Sequence, residues 1–514
     1  MKLLQLTVFI TTLIYFTPLC LQAQDAAISD YVNVGNDEDL YIIGGNSDGF
    51  FVGLTEDYYY SGTGNKQVIS YYNMEGPEEV ESVVMKPEDR SRDYFYTFSF
   101  KDQLHTLSHD TKESDDGLFH IYLNSYNQQM ESIGEEKNLD QIYPYIFTYD
   151  VSSAFRSFFS SQFGKMRRGL FITHKTNAAE DKLALFFDFN YFSSTVANFQ
   201  CVVLNENLEE EWSDIIDLPA EGSNLLLEDY ALANDGKLYI LMASFDDDNF
   251  KKSANDFEYL LYSYDPESGE VSSLDFDTQG QFIINMGLTL DKNQQAVLAG
   301  VFANPQNNDI EGGIMIQLKA DGSSQAQQFA FESSVMKEIN EKEDKDYAEE
   351  YTVNNMMLED DGSLVFFAES YKRGPLLKPK LSLSAFNPVS ADVEMGDIYK
   401  KILAVKLTPD QSGEWVKIID KNQRSSEPKD IYASYAFAYD DDAYYLLFNN
   451  DIKNASDISL VTLKKGGDIS LTNYMDRSDY RVRLIPAFSK MIEPGVLTVP
   501  VEKSGKQGVL RVKF

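Results

Sequence analysis

The chain reads as an all-β protein, a β-propeller of about seven or eight four-stranded blades with two short helical insertions. Three observations predict it. Most of the sequence consists of apolar runs of about 5–8 residues rich in Tyr, Phe, Val, Ile and Leu, separated by Asp/Asn/Gly turns. One hairpin unit recurs along the chain. And about 490 residues follow the N-terminal leader with no Pro/Ser/Gly-rich linker, more than one compact core usually holds. A chain that is 43% hydrophobic and 13% aromatic without a linker suits stacked units better than separate domains.

The recurring hairpin is clearest at Leu403 to Asp420, LAVKLTPDQSGEWVKIID, and at CVVLNENLEEEWSDIID, which starts at Cys201. Trp212 matches Trp415, Leu204 matches Leu407, Glu211 matches Glu414, and Ile215-Ile216-Asp217 matches Ile418-Ile419-Asp420. Both tryptophans of the chain therefore occupy one repeat position. Weaker copies run from Leu261 to Asp277, Ile316 to Glu332 and Val461 to Asp476. A second set of turns introduces strongly apolar strands at Ser47, Glu180, Asn234, Asp291, Asp360, Asp440 and Glu493, with a less clear member at Phe100. Their spacing of about 50 to 80 residues accommodates four strands and their loops. The last strand, Gly508 to Phe514, needs a partner, and Asp39 to Gly45 is the early strand expected to close the ring.

Two segments depart from this rhythm. Ser152 to Gly164 places Phe155, Phe158, Phe159 and Phe163 on one helical face. Ser333 to Tyr351 is charged, with Val335, Ile339, Tyr347 and Tyr351 as a thin apolar stripe. Both are expected as helices lying on the disc.

The N-terminus carries Lys2, an apolar run from Leu3 to Leu19, and then LQAQ. That is the pattern of a secretory signal peptide over residues 1–23, cut after Ala23, with residues 24–514 forming the propeller. Lipidation at Cys20 is disfavoured because Leu19 stands where a small residue is needed. Cleavage leaves Cys201 as the one cysteine, and export without disulfides suits a bacterial periplasm, outer-membrane surface or medium. No later apolar run is long enough for a transmembrane helix. The formal charge is −38, from 82 acidic and 44 basic residues, which opposes binding to nucleic acid or to anionic lipid.

The stretches Leu364 to Lys372, Ile402 to Asp420, Ser434 to Asp451 and Ser459 to Ser470 resemble a family of uncharacterised secreted proteins of Bacteroidetes-type bacteria. The order and spacing match from about Lys182 to the end. The resemblance implies a propeller in the envelope and supplies no catalytic residue.

Candidate chemistry is sparse. Gly45-Asn46-Ser47-Asp48-Gly49 fits G-x-S-x-G, but it lies between two strands, where the nucleophile motif needs a strand and then a helix. Of the four histidines, His105 and His109 share a strand face about 13 Å apart, too far for one metal, while His120 and His174 stand alone. Asp275-Phe-Asp277-Thr-Gln-Gly280 begins like a calcium loop but reaches Met286 where the bidentate acid belongs. Asp246–Asp248 and Asp440–Asp442 offer further oxygens, so a structural calcium stays open, and no other cofactor is expected. Thr408 to Trp415 resembles the Asp-box of sialidase-like propellers, a structural turn. The arginines Arg167, Arg168, Arg481 and Arg483 form no sialidase pattern. Tyr58–Tyr60 and Tyr444–Tyr445 suit sugar stacking or, because neighbours on a strand face opposite ways, plain core.

No catalytic, cofactor-binding or metal residue is singled out. The expectation is a monomeric, non-enzymatic envelope propeller that binds a protein or a surface glycan. The alternative is a carbohydrate-active propeller enzyme. An outer-membrane barrel ending at Phe514 is the weakest reading, because the strands are short and heavily charged.

Overall fold

A computed structural model describes residues 25–34, 38–56, 67–85, 92–110, 119–142, 171–188, 197–219, 224–245, 257–341, 350–377, 393–409, 413–425, 430–452 and 455–514. Eight antiparallel sheets form a β-propeller ring, seven of them meanders in which sequential strands pair. Blades 1 to 7 span residues 38–85, 92–142, 171–218, 224–274, 282–330, 350–425 and 436–475. The first strands of neighbouring blades touch one another, which places them innermost.

The turns expected to introduce apolar strands open the second strand of all eight blades. Leu238–Phe245, Ala296–Ala303 and Ala443–Asn449 are buried at every position. A second strand is flanked by its own sheet partners and covered on both faces by adjacent blades, so it reads as an unbroken apolar run. The two-residue period of the strand then shares its side chains between two seams. Leu238, Ile240 and Met242 pack toward blade 3, whereas Tyr239, Leu241 and Ala243 pack toward blade 5. Leu364, Phe366 and Ala368 face blade 5, and Val365 and Phe367 face blade 7. Each seam thus owns a hydrophobic cluster, and burying one such aromatic contributes about 1.5–3 kcal/mol.

The recurring hairpin is the third and outer strand of a blade. Trp212 lies opposite Val203 and Trp415 opposite Lys406, and each hairpin has a register shift one residue later, at Leu204 and at Leu407. Trp415 donates its indole N–H to the Lys465 carbonyl of blade 7 at 3.2 Å and packs on Gly467, whose φ is +89°. Trp212 packs likewise on Gly236 of blade 4. The shared repeat position is a blade-to-blade wedge.

The ring closes differently from the sequence expectation. Blade 8 takes its inner strand from Arg483–Leu484 and Lys490–Glu493, then Val496–Lys503 and Lys506–Lys513, and its outer strand is Asp25–Ile28. Val32–Asn33 extends that pairing. Asp39 to Gly45 belongs instead to the inner strand of blade 1. Its apolar run suits a strand covered on both faces, while the short, half-exposed DAAI suits an outer edge. Arg511 fastens the clasp on Asp25 at 2.8 Å, and the Ser29 hydroxyl accepts from the Val509 N–H at 2.8 Å.

Among the described residues there is one α-helix, Ser333–Ile339. It is shorter than the expected Ser333–Tyr351 span, because Tyr351 already lies in the inner strand of blade 6, Glu350–Leu358. Ile339 enters the core between blades 5 and 6, and Asn340 bonds both backbone groups of Ile310 at 2.8 Å, so the helix packs on its own blade. The Ser152 to Gly164 helix expectation lies outside the described residues, as do Asp246–Asp248, Tyr58–Tyr60, Arg167 and Arg168.

Candidate functional site

Polar groups converge along the inner strands of the ring. The inner strands of blades 1, 2, 4, 5, 6 and 8 each carry a register shift, with Gly44, Tyr96, Asp229, Asn285, Asn355 and Glu493 following it. A bulge re-aims the next side chain out of the pleat. Four of these residues reach the next blade. The Tyr96 hydroxyl lies 2.7 Å from His174 Nδ1, and Asp229 accepts from the Leu288 N–H at 3.1 Å. Asn285 accepts from the Val353 N–H at 2.5 Å, and the Asn355 amide donates to the Tyr435 hydroxyl at 3.0 Å.

The remaining seams use other inner-strand groups. Tyr41 and Thr97 hydroxyls meet at 2.8 Å between blades 1 and 2. Lys175 of blade 3 pairs with Asp229 and donates to the Tyr230 carbonyl at 2.8 Å. The Tyr439 N–H of blade 7 points at Met491 Sδ at 3.4 Å. Lys490 of blade 8 donates to the Ile43 carbonyl of blade 1 at 2.8 Å. All eight seams are thereby bridged, and inner-strand backbone groups that lack a sheet partner find one across the seam.

Two polar clusters beside this belt, which draw on second and fourth strands as well, are electrostatically unusual. Between blades 6, 7 and 8, Lys421 and Glu369 form an ion pair with side chains only 1% and 3% exposed. Glu369 also accepts from Ser434 Oγ at 2.5 Å and from Asn354 at 3.2 Å, and Lys421 donates to Gln423 at 2.9 Å. The rings of Tyr399 and Tyr435 lie 5.3 and 5.9 Å from the ammonium. Burial lowers the Lys421 pKa against the pull of Glu369, and pushes the Tyr435 hydroxyl far up. Gln423 and Asn449 carry the network on to the Leu484 backbone of blade 8.

The other cluster surrounds blades 8, 1, 2 and 3. Phe98 stands between His105 and His174, 5.2 Å from each ring. His105 bonds Ser125 Oγ at 2.9 Å and the Phe100 carbonyl at 3.0 Å, and burial brings its imidazole down to about 4. Burial, then the nearby Lys490 ammonium, brings His174 down to about 3. Both rings are neutral at pH 7. Burial also lowers the Lys490 pKa.

The motifs singled out in the sequence are mostly turns. Asn46 Oδ1 accepts from the N–H groups of Asp48 and Gly49 at 2.9 and 3.3 Å, so the G-x-S-x-G segment is an Asn-closed hairpin with Ser47 at its exposed tip. Asp277 Oδ1 accepts from the Gln279 N–H at 2.7 Å, and Met286 is buried in an inner strand. Asp440 closes its turn through Asp442 and Ala443 N–H groups, both at 2.8 Å, and accepts from Tyr445 at 2.8 Å. Tyr444 and Tyr445 face opposite ways: Tyr444 enters the seam with blade 6, and Tyr445 stacks on Phe514 at 4.1 Å. Arg483 lies 3.4 Å over the Tyr432 ring and pairs with Glu502 at 2.7 Å. His109 shares the second strand of blade 2 with His105, and His120 lies on the third. Cys201 is buried in the seam between blades 3 and 4, and burial pushes its thiol far up.

Sequence reasoning missed Tyr96, Asp229, Asn285 and Asn355. A signal existed: each stands six residues before a turn aspartate, Asp102, Asp235, Asp291 or Asp361.

No protein-family model matches the chain, and no curated protein does. Among solved structures it is similar to one of two prolyl endopeptidases studied for inter-domain dynamics, with a TM-score of 0.38 and 10% identity over 91% of this chain and 55% of that one. It is similar to a Trypanosoma rangeli sialidase in complex with sialic acid, at TM-score 0.31 and 11% identity over 66% of this chain and 53% of that one. A Dyadobacter fermentans protein of unknown function follows at TM-score 0.32 and 8% identity, over 67% of this chain and 95% of that one. The chain spans about half the length of the first two. At these scores the likenesses carry no argument about activity, and the fold is read from the blades themselves.

Proposed function

We propose that this β-propeller is a non-enzymatic binding scaffold that works outside the cytoplasm, in the bacterial envelope or beyond it. The observation that carries the reading is the belt. The polar side chains that the inner strands bring together are engaged in bridging one blade to the next, so the ring is a rigid platform that presents its loops. The leader pattern over residues 1–23 and the resemblance to uncharacterised secreted proteins support export. A partner that is a protein or a surface glycan suits a strongly acidic surface better than nucleic acid or anionic lipid does.

In-cell crosslinking of a tagged copy in its native host, followed by identification of the captured molecules, tests this. Reproducible capture of one envelope protein or glycan, lost when loops on one face are exchanged, is the expected result. Turnover of a glycan or ester substrate by the purified chain, abolished by one point substitution, would replace the scaffold with the carbohydrate-active alternative.

A further inference from the structure

Each outer strand of the ring leaves one edge unpaired, and natural proteins blunt such edges with charge. Among the described outer strands, Glu79–Met85, Lys137–Ile142, Glu210–Leu218, Glu270–Leu274, Gly413–Ser425 and Asp25–Ile28 all contain charged residues. Ser324–Ala330 contains none, but Gln327 and Gln328 donate to the Pro409 and Thr278 carbonyls at 2.8 and 3.3 Å, which ties that strand down. Ile469–Met475, the last strand of blade 7, has no charge either, and its first three residues are exposed.

Ile469 and Leu471 stand on one face of that strand and are 43% and 63% exposed. Their partners across the sheet, Leu463 and Val461, are buried in the seam between blades 6 and 7. The apolar face of the seam therefore runs out to the rim, past the cover that Trp415 gives at Gly467. With Tyr480, they are three of the five large apolar residues exposed among the described residues. Val80, another of the five, stands between Glu79 and Glu81, which guard it. Among the described residues, nothing outside its own sheet bonds the backbone of Ile469, Ser470 or Leu471. Two chains of charge −38 repel each other, but this rim adds nothing to that repulsion: Asp457 to Arg481 carries four acidic and four basic residues.

We propose that two copies of the chain pair edge to edge through Ile469–Leu471, antiparallel about a two-fold axis at Ser470, so that their two blade 7 sheets become one. In that register the edge matches itself. Ile469 of each copy comes opposite Leu471 of the other, and four apolar side chains cover one another on one face. The antiparallel arrangement also brings the exposed Lys464 and Asp468 of each copy toward the exposed Asp476 and Arg477 of the other, where each sign meets its opposite. A strand from another protein would fill the same edge; the second copy is preferred because the edge already complements itself in side chains and in charge. The contact is small, so a dissociation constant on the order of 0.1 mM is expected. Pairing here is independent of what the loops bind, so an empty in-cell crosslinking result leaves it standing, and a monomeric chain leaves the scaffold reading standing.

Sedimentation equilibrium of the full mature chain, up to about 1 mM, should show monomer and dimer in exchange. Added sodium chloride should tighten the dimer, because salt screens the repulsion between two acidic chains. Leu471→Lys should weaken it at least about tenfold by setting two charges in the apolar cluster. Val80→Lys should leave it unchanged. Position 470 meets itself across the axis with Cα atoms about 4.5–5.5 Å apart, within reach of a disulfide. Ser470→Cys should therefore form a covalent dimer on mild oxidation at least about tenfold faster than Asn473→Cys, and the buried Cys201 does not compete. A single monomeric mass up to about 1 mM would overturn the proposal. So would a dimer indifferent to Leu471→Lys, or equal crosslinking of the two cysteine variants. Capture of another protein by this edge, in a chain that stays monomeric, would overturn the second copy as its occupant. Should Leu471→Lys not fold, the two cysteine variants decide.

Discussion

Lys421 and Lys490 belong to neighbouring stretches of one ring, and burial works against the charge of both. Around Lys421 the protein supplies a full shell: Glu369 for charge, Gln423 for a hydrogen bond, and two tyrosine rings. Around Lys490 it supplies one carbonyl, that of Ile43, and the Ser99 side chain packed close over Gly44. The first arrangement is closed, with each partner holding the others in place across blades 6, 7 and 8. The second is open. In a closed network the loss of one partner strands another, whereas in an open one the loss of the ion relieves it.

The comparison is broken most directly at Glu369. Glu369→Gln leaves Lys421 buried without its anion, and urea unfolding should show a loss of about 3–5 kcal/mol. Adding Lys421→Met should recover most of that. A single-variant loss below about 1 kcal/mol would show that the closed network is not a lock.

Acid is the next lever, and it acts on the blade 2 and 3 side of the open region. His105 has a folded pKa of about 4 against 6.5 when unfolded, so the unfolded chain binds the proton first. Stability is therefore complete above about pH 6.5 and falls as pH drops toward 4, by about 3 kcal/mol for this one ring. Thermal midpoints through that window check it. His105→Gln should flatten the decline, which His174 continues to lower pH.

Gly44→Ala should cost about 1–3 kcal/mol by overpacking. Its Cβ would stand 2.5 Å from Ser99 Cβ, which is not the free end of a flexible side chain. The smallest change is expected from Lys490→Met, within about 1 kcal/mol of the natural chain or slightly stabilising. NMR titration of that variant should find the His174 pKa moved upward, because a neighbouring positive charge has gone. A loss of several kcal/mol from Lys490→Met would show that the open region is closed after all.

Some of this was legible in the amino-acid order. The turns at Ser47, Phe100, Glu180, Asn234, Asp291, Asp360, Asp440 and Glu493 announce eight second strands, because a strand covered on both faces must be apolar throughout. The inner strands were harder to read. Asp229 and Asn285 interrupt apolar runs as turn residues do, and only the bulge makes their polarity useful within a strand. The closing strand differs from the expectation because Asp25–Ile28 is only four residues long and gains its partner from the far end of the chain. Lys490 carried no local mark. Its setting comes from the Ile43 carbonyl of blade 1 and the Ser99 side chain of blade 2, and neither is near it in sequence.

The clasp of blade 8 sets the order of events in folding. Asp25 pairs with Lys513, so the last sheet joins residues from opposite ends of the chain. Closing a loop of that length is entropically costly and slow, and it can follow only after the Lys506–Lys513 strand has been made. Until then the Leu510 and Val512 strand keeps an open edge, the kind of edge on which chains pair wrongly. Once closed, the ring has no loose terminal blade from which to unravel. Substitutions that loosen Asp25–Ile28 are therefore expected to speed unfolding of the ring.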